Sequence, residues 1–150
     1  MSKLITDRFS IIKKYIKNKE VLDIGCIDHY SEREIKNLWI HKKIKTYAKS
    51  LIGVDLIKKE VDKLNNKGYD IICDNAETFN LNKKFDIIFA GELIEHINNQ
   101  GLFLENVRKH LKDDGKFIFT TPNCNNFFNT IEVLLFGQTP VNDEHVLWHN

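Results

Sequence analysis

Short apolar runs and stretches with apolar residues at helical spacing follow one another along most of this chain. Five short apolar runs have the length and composition of strands: Glu20–Ile24, Leu51–Asp55, Tyr69–Cys73, Phe85–Ala90 and Lys116–Thr121. Runs of this kind, with little alternation, are typical of strands that helices cover on both faces. Helical segments separate most of the runs, which favours parallel strands joined by right-handed crossovers. The predicted fold is α/β, a doubly wound, Rossmann-like parallel sheet in the order 3-2-1-4-5 with helices on both faces.

The helices are predicted from apolar residues at helical spacing and from their end signals. One apolar stripe precedes the first strand and consists of Ile5, Phe9, Ile12 and Ile16. Ser31 and Glu34 have the form of a capping box, and they predict a helix from about Glu32 to about Lys49. A shorter helix ends near Gly68, and another carries Phe103, Val107, His110 and Leu111 before a turn at Asp113–Gly115.

Length, charge and cysteine content narrow the class of protein. The chain has 150 residues and a net charge of +1, so we expect one domain over residues 1–150 and neither a nucleic-acid partner nor a membrane partner. No signal peptide and no run of membrane-spanning length is present, and the three cysteines fit neither a disulfide framework nor a zinc pair. We therefore expect a cytoplasmic protein. The histidines at 41, 145 and 149 lack metal-ligand spacing, and no metal is predicted.

The residues that follow the first two strands suggest a nucleoside cofactor. Asp23 and Gly25 stand at the end of the first strand, and Asp55 ends the second. In a parallel sheet, a glycine turn after one strand lets a ligand approach the backbone, and an acid at the end of the next strand can hold a ribose. A dehydrogenase shares this layout, but the G-x-G-x-x-G pattern that pyrophosphate needs is absent.

Together with Asp74–Glu77 after the third strand and Gly91–His96 after the fourth, these residues resemble the class I S-adenosylmethionine-dependent methyltransferases of the small-molecule, type 11-like group. The resemblance extends over almost the whole chain from Val21 onward. It departs from the family pattern where Ile27 and His29 replace two glycines, and where Asn75 replaces an aspartate.

The resemblance implies a role for each matched segment. Asp23, Gly25, Cys26 and Ile27 would pass under the methionine part of S-adenosyl-L-methionine. Asp55, with Leu56 beside it, would hold the ribose. Asp74, Asn75 and Ala76 would lie at the adenine, with either Asp74 or Asn75 accepting from its amino group. Gly91 and Glu92 would lie beside the transferable methyl group.

The same resemblance gives catalytic roles to Glu92 and His96, with His96 as a general base on the acceptor. The alternative is that the two side chains pair along one helix face, since they are four residues apart. The expected activity is methyl transfer to a small molecule or a biosynthetic intermediate at oxygen, nitrogen or carbon, leaving S-adenosyl-L-homocysteine. The alternatives are a non-catalytic or truncated S-adenosylmethionine-binding module and, less favoured, an NAD(P)-dependent oxidoreductase.

The C-terminal region differs most from the family. Family members continue past a segment like His145–Trp148 into further strands, which we expect this sequence to lack. The fifth strand would then be an exposed edge, which favours a homodimer. An apolar stretch from Phe127 to Leu135 predicts a helix that acts as a lid or substrate wall.

Overall fold

The computed structural model describes residues 8–27 and 39–122. In chain order the elements are α1 (Arg8–Ile16), β1 (Glu20–Ile24), α2 (Ile40–Tyr47), β2 (Ser50–Asp55), α3 (Lys58–Asn65), β3 (Ile71–Cys73), β4 (Phe85–Gly91), a 3₁₀ turn (Ile94–His96), α4 (Gln100–His110) and β5 (Leu111–Thr120). The strands form one parallel sheet in the order β3-β2-β1-β4-β5. The predicted fold class and strand order are therefore confirmed.

Alternate residues of β1 and β4 supply the two faces of the sheet. On one face, Val21 and Phe89 pack with residues of α1 and α2. On the other, Leu22 and Ile88 pack with Phe103 of α4 and its neighbours. Both faces of the central strands are thus covered by helices, which explains why these strands are mostly apolar.

The prediction of one long helix from Glu32 to Lys49 is wrong at Trp39. This residue has an extended backbone (φ −68°, ψ 120°), and α2 begins only at Ile40. The indole of Trp39 is buried and its Nε1 donates to the carbonyl oxygen of Cys26 at 2.6 Å. Anchoring of this side chain under the loop after β1 accounts for the later helix start. The capping box lies outside the described residues, as do Ile5 and the helix predicted over Phe127–Leu135.

The last strand begins earlier than the sequence predicts and contains an irregularity. Phe85 pairs with Leu111, but Ile87 pairs with Lys116, so residues 112–115 bulge from the ladder. Lys112 stabilises this bulge, because its Nζ donates to Asp86 Oδ1 at 3.0 Å and to Glu20 Oε2 at 2.8 Å. The predicted turn at 113–115 therefore appears inside β5 as a bulge.

The remaining boundaries agree with the sequence within a few residues. Gly68 has φ +85° just after α3, which is the left-handed conformation expected of it. The third strand is shorter than predicted and starts at Ile71, because Tyr69 packs its ring against Trp39 at 4.8 Å between centroids. Within residues 8–27 and 39–122, no helix combines the length and the apolar composition needed to cross a bilayer.

Candidate cofactor site

The carboxyl ends of all five strands meet at one edge of the sheet because the strands are parallel. Each predicted site residue therefore lies either on this edge or on the loop that leaves it. β1 is central, with β2 on one side and β4 on the other. Ligand sites in open α/β sheets lie at the point where the strand order reverses, which here falls between the ends of β1 and β4.

Gly25 brings the loop after β1 against the segment after β4. Its φ of +68° lies in the left-handed region, and its amide donates to the carbonyl oxygen of Val54 at 2.8 Å. A Cβ atom at Gly25 would lie only 2.9 Å from Cδ1 of Leu93. The backbone conformation therefore favours a glycine here, and any larger residue would also displace the end of the Leu93 side chain.

Asp55 joins the loops that follow β1 and β2. Its Oδ2 accepts from the amide of Ile27 at 2.8 Å, and its Oδ1 accepts from the amide of Ile57 at 3.1 Å. The residue is 8% exposed. A carboxylate oxygen has lone pairs for two hydrogen bonds, so an oxygen bonded to an amide can also accept from a hydroxyl. Leu56, the next residue, is 65% exposed and offers an apolar surface beside this carboxylate.

Asp23 lies against α2 on the side of the sheet that carries Val21. Its Oδ2 is 2.8 Å from Nδ1 of His41, and both side chains are almost fully buried. Burial raises the pKa of the Asp23 carboxyl, although the hydrogen bond from His41 opposes this. The structure thus gives Asp23 a protein partner, while its predicted contact with the cofactor stays a prediction.

Cys26 is buried beside the carboxylates of Asp23 and Asp55. Burial, and then the nearby Asp23 and Asp55, hold the pKa of its thiol well above the ordinary value. The thiol therefore stays protonated near neutral pH and is not a nucleophile. Cys26 contributes its carbonyl oxygen, which accepts from Trp39, and so it shapes the loop through its backbone.

His41 and Trp39 are the residues of this region that the sequence analysis did not assign to the site. Both belong to a buried aromatic group with Tyr69, and the ring centroids of Trp39 and His41 are 5.1 Å apart. A signal was present, because His41 precedes Ile44 by three residues and so shares the buried stripe of α2. A histidine on an apolar stripe needs a buried hydrogen-bond partner, and the neighbouring strand offers Asp23.

The loop after β3 is held by its own side chains. The amide of Asp74 donates to the carbonyl oxygen of Asp55 at 3.0 Å, and Oδ1 of Asp74 accepts from the amide of Asn75 at 2.7 Å. The side-chain oxygen of Asn75 accepts from the amide of Glu77 at 2.8 Å. Ala76 is buried, and its carbonyl oxygen accepts from Asn106 of α4 at 3.2 Å. The loop is thereby attached to both β2 and α4.

The segment after β4 contains a strained residue. Glu92 has φ +52°, which is uncommon for a residue other than glycine, and its amide donates to the carbonyl oxygen of Thr120 at 2.9 Å. Such backbones are found at ligand sites, where the surrounding structure enforces them. Gly91, just before it, packs close to Phe89, since a Cβ there would lie 3.0 Å from that ring.

His96 is partly buried and ends the short 3₁₀ turn Ile94–His96. Glu92 precedes that turn, so the two residues do not share the face of one α-helix as the alternative reading required. The structure leaves the predicted catalytic role of His96 as a prediction. In the described part of the chain, no group of three or more histidine, cysteine or acidic side chains is arranged to hold a metal ion.

The strand order and the acid at the end of β2 define a Rossmann-like protein of the nucleoside-cofactor class. Residues 2–149 match the family model described as "Methyltransferase domain". The chain therefore belongs to this methyltransferase family.

Individual relatives share the fold and part of the sequence. The chain is 30% identical over 111 residues to N-methyltransferase 4 of Papaver somniferum, covering 73% of this chain and 31% of that protein. It is 29% identical over 116 residues to the ubiquinone biosynthesis O-methyltransferase of Pelagibacter ubique, covering 73% of this chain and 45% of that one. Among solved structures, DesVI of Streptomyces venezuelae superimposes with a TM-score of 0.63 at 12% identity, over 80% of this chain and 52% of DesVI.

The glycopeptide N-methyltransferase MtfA, solved with S-adenosyl-L-homocysteine, superimposes with a TM-score of 0.53 at 14% identity, over 74% of this chain and 48% of MtfA. At such identities the superpositions support the fold alone. The chain spans only about half, or less, of the length of the relatives it matches.

Proposed function

We propose that residues 1–150 form one S-adenosyl-L-methionine-dependent methyltransferase domain that acts on a small molecule or a biosynthetic intermediate. The observation that carries this proposal is the position of Asp55. Its buried carboxylate ends the strand beside β1 and already organises the two loops between which a nucleoside would lie. Membership of the methyltransferase family identifies which nucleoside this is.

In this proposal, the cofactor lies across the carboxyl edge of the sheet. Asp55 accepts hydrogen bonds from the ribose hydroxyls, and exposed Leu56 covers one face of the adenine. Gly25, Cys26 and Ile27 pass beneath the methionine part, and Ala76 and Gly91 border the site from the loops after β3 and β4. An ionised carboxylate that serves two hydroxyl donors gives a strong and orienting contact.

The hydrogen bonds of the loop after β3 favour Asp74 over Asn75 as the partner of the adenine amino group. The side-chain oxygen of Asn75 is engaged by the amide of Glu77. One oxygen of Asp74 is engaged by the amide of Asn75, and its exposed carboxylate offers a second oxygen. A carboxylate is also the stronger acceptor because it is charged. Asn75 then acts as the residue that holds the loop in shape.

When bound, S-adenosyl-L-methionine supplies an activated methyl group on a positively charged sulfur. The residues of the chain then have to hold the acceptor in line with that methyl group and exclude water. We propose that Glu92 lies toward the positive end of the cofactor, with its backbone fixed by the bond to Thr120. His96, partly buried at the end of the 3₁₀ turn, would remove a proton from a hydroxyl or amine acceptor.

Calorimetric titration tests the cofactor assignment. We expect micromolar binding of S-adenosyl-L-methionine and S-adenosyl-L-homocysteine, and no binding of NAD, which an oxidoreductase would bind. Binding of NAD, or of none of the three, would contradict the proposal. If S-adenosyl-L-methionine and S-adenosyl-L-homocysteine both bind but no acceptor is methylated, the alternative of a non-catalytic binding module is correct.

The ribose contact of Asp55 needs a separate test, because this side chain also holds two loops. S-adenosyl-L-homocysteine and its 2′-deoxy analogue are titrated against the wild type and against Asp55→Asn. A charge-assisted hydrogen bond is worth about 1.5–3 kcal/mol, so the wild type should prefer the hydroxylated ligand by about tenfold or more. The variant should lose that preference, whereas Asp62→Asn, at an exposed position of α3, should retain it. A preference that survives in Asp55→Asn would mean that Asp55 only holds the loops.

His96→Ala tests the catalytic role. A general base acts on turnover and not on cofactor affinity, so the rate of methyl transfer should fall by about 10²–10⁴-fold while the dissociation constant of S-adenosyl-L-homocysteine stays the same. If both fall together, His96 has a structural role.

We also propose a cytoplasmic location and a homodimer. The described cysteines, Cys26 and Cys73, are free thiols, which supports a reducing compartment. In the described part of the chain β5 pairs only with β4, and Phe119 on it is 49% exposed, which supports pairing with a second copy. Sedimentation equilibrium at tens of micromolar should give a dimer, and a monodisperse monomer would contradict this.

A further inference from the structure

Glu95 is a buried carboxylate without a hydrogen-bond partner. It is the middle residue of the 3₁₀ turn after β4, and it is only 2% exposed. Among the residues that the structure describes, neither Oε1 nor Oε2 of Glu95 meets a donor. A buried polar atom without a partner loses its hydration and gains nothing in return, and the loss is largest for a charged group.

The other polar or charged residues that are buried as a whole have hydrogen-bond partners within the described chain. Asp23 pairs with His41, Asp55 accepts from two amides, and Asn106 donates to Ala76. His110 is bonded through both ring nitrogens, to the amide of Leu81 and to the carbonyl oxygen of Asn106. Two hydroxyl oxygens, Ser50 Oγ and Thr120 Oγ1, are also buried without a partner, but Glu95 is the one buried acid of the described residues that lacks one. Such unpaired groups are found at functional sites.

One of the two unpaired hydroxyls belongs to the strand end next to this turn. Oγ1 of Thr120 is buried without a partner, and it lies 3.7 Å from the position of a Cβ on Gly91. The carbonyl oxygen of the same Thr120 accepts from the amide of Glu92, three residues before Glu95. Both unpaired groups therefore belong to segments that meet where β4 and β5 end, and Glu95 lies further along the segment whose first residues, Gly91 and Glu92, we place beside the cofactor.

We propose that Glu95 recognises the acceptor, by accepting a hydrogen bond from an N–H or O–H group on it. This proposal rests on the proposed function, and it narrows the substrate class to amines and hydroxyl compounds. A carboxylate acceptor has no donor to offer Glu95 and brings a second acidic group beside it, so it is disfavoured. Glu95 is then a specificity-determining residue that stays unsatisfied until the acceptor binds.

Two matched probes test the charge preference. Phenethylamine and 3-phenylpropionate share a ring and a two-carbon linker but end in an ammonium and a carboxylate. Each is titrated calorimetrically against the whole chain, with and without S-adenosyl-L-homocysteine. The wild type should bind phenethylamine at least about tenfold more tightly, as a hydrogen bond to a charged group would give, and Glu95→Gln should reduce the preference to about twofold or less.

Controls separate this role from others. Glu105→Gln makes the same change on the exposed face of α4 and should leave the preference unchanged. Glu95→Gln should bind S-adenosyl-L-homocysteine as the wild type does. Urea unfolding should show Glu95→Gln and Glu95→Met to be as stable as the wild type or more stable, because each removes a buried carboxyl group that has no partner.

Equal binding of the two probes, including no binding of either, would overturn the proposal. So would a preference that survives in Glu95→Gln, or a loss of stability in both variants, which would make Glu95 a structural residue. Failure of S-adenosyl-L-homocysteine to bind the wild type counts against the proposed function. The titrations without this ligand still decide the role of Glu95.

Discussion

Replacing Gly25 with alanine tests whether the loop after β1 needs a glycine for its backbone, for space, or for both. The residue has φ +68°, a conformation that costs an L-residue about 1–2 kcal/mol. The added Cβ would also lie 2.9 Å from Cδ1 and 3.2 Å from Cδ2 of Leu93. Gly68→Ala is a matched control, because Gly68 has φ +85° and nothing lies within 4 Å of the position of its Cβ.

The difference between the two variants isolates the contact with Leu93. The atoms approached are the methyl ends of a flexible side chain, so Leu93 should rotate and the backbone should stay in place. An off-rotamer side chain costs about 0.5–1.5 kcal/mol. We therefore expect Gly68→Ala to lose about 1–2 kcal/mol of unfolding free energy from its backbone alone, and Gly25→Ala to lose about 1.5–3.5 kcal/mol.

The effect on the site should differ more than the effect on stability. Leu93 directly follows Glu92, so its displacement disturbs the segment that we place beside the transferable methyl group. S-adenosyl-L-homocysteine should bind Gly25→Ala at least about tenfold more weakly, a loss of about 1.4 kcal/mol, and bind Gly68→Ala like the wild type. Urea unfolding followed by circular dichroism measures the stability, and calorimetry measures the affinity. Equal stability and equal affinity in the two variants would refute the reasoning.

Two further predictions concern buried and paired acids. Asp23→Ala should lower the unfolding free energy by about 1–3 kcal/mol because it leaves Nδ1 of His41 buried without a partner, whereas Asp23→Asn retains an acceptor oxygen and should cost less in the same urea titration. The pKa of Asp86 is lowered by the amide of Glu20 and then by Lys112, so its stabilising effect is complete above the unfolded pKa and is lost as the pH falls through the folded pKa. Urea unfolding between neutral pH and strongly acidic pH should therefore show a shallower loss of stability in Asp86→Asn than in the wild type.

The predictions for Asp23 and Asp86 each have a result that would contradict them. If Asp23→Asn is as destabilising as Asp23→Ala, the charge of Asp23 matters and its acceptor role does not. If wild type and Asp86→Asn lose stability in parallel on acidification, the contacts of Asp86 with Glu20 and Lys112 do not affect its titration in solution.

The fold could be predicted from the sequence because its signals are local. A strand that is apolar on both faces is recognisable from five or six residues, and Gly68 marks the end of α3 by its own conformational preference. The start of α2 could not be predicted in this way. It depends on a hydrogen bond from Trp39 to Cys26, thirteen residues away, which forms only once the sheet and the helix are packed together.

The sequence predicts which residues stand at the strand ends better than it predicts their contacts. Asp55 and Gly25 follow from the ends of two strands, which a sequence pattern reveals. The position of His41 on the buried stripe of α2 indicates that it needs a buried partner, but it does not identify Asp23, which is eighteen residues away on another element. Glu95 received no role because Glu92 and His96 on either side matched the family pattern, and burial without a partner is a property of the folded chain alone.

The hydrogen bonds of Asp55 have a consequence for how a ligand is received. One residue connects three loops: its carboxylate binds the amides of Ile27 and Ile57, and its carbonyl oxygen binds the amide of Asp74. Each loop is bonded to a different atom of Asp55, so a movement of this one residue would disturb all three loops together. The three loops are already ordered in the folded protein, so a ligand that binds between them causes little further loss of conformational entropy. Substitution of Asp55 should consequently change the dissociation rate of the ligand more than its association rate.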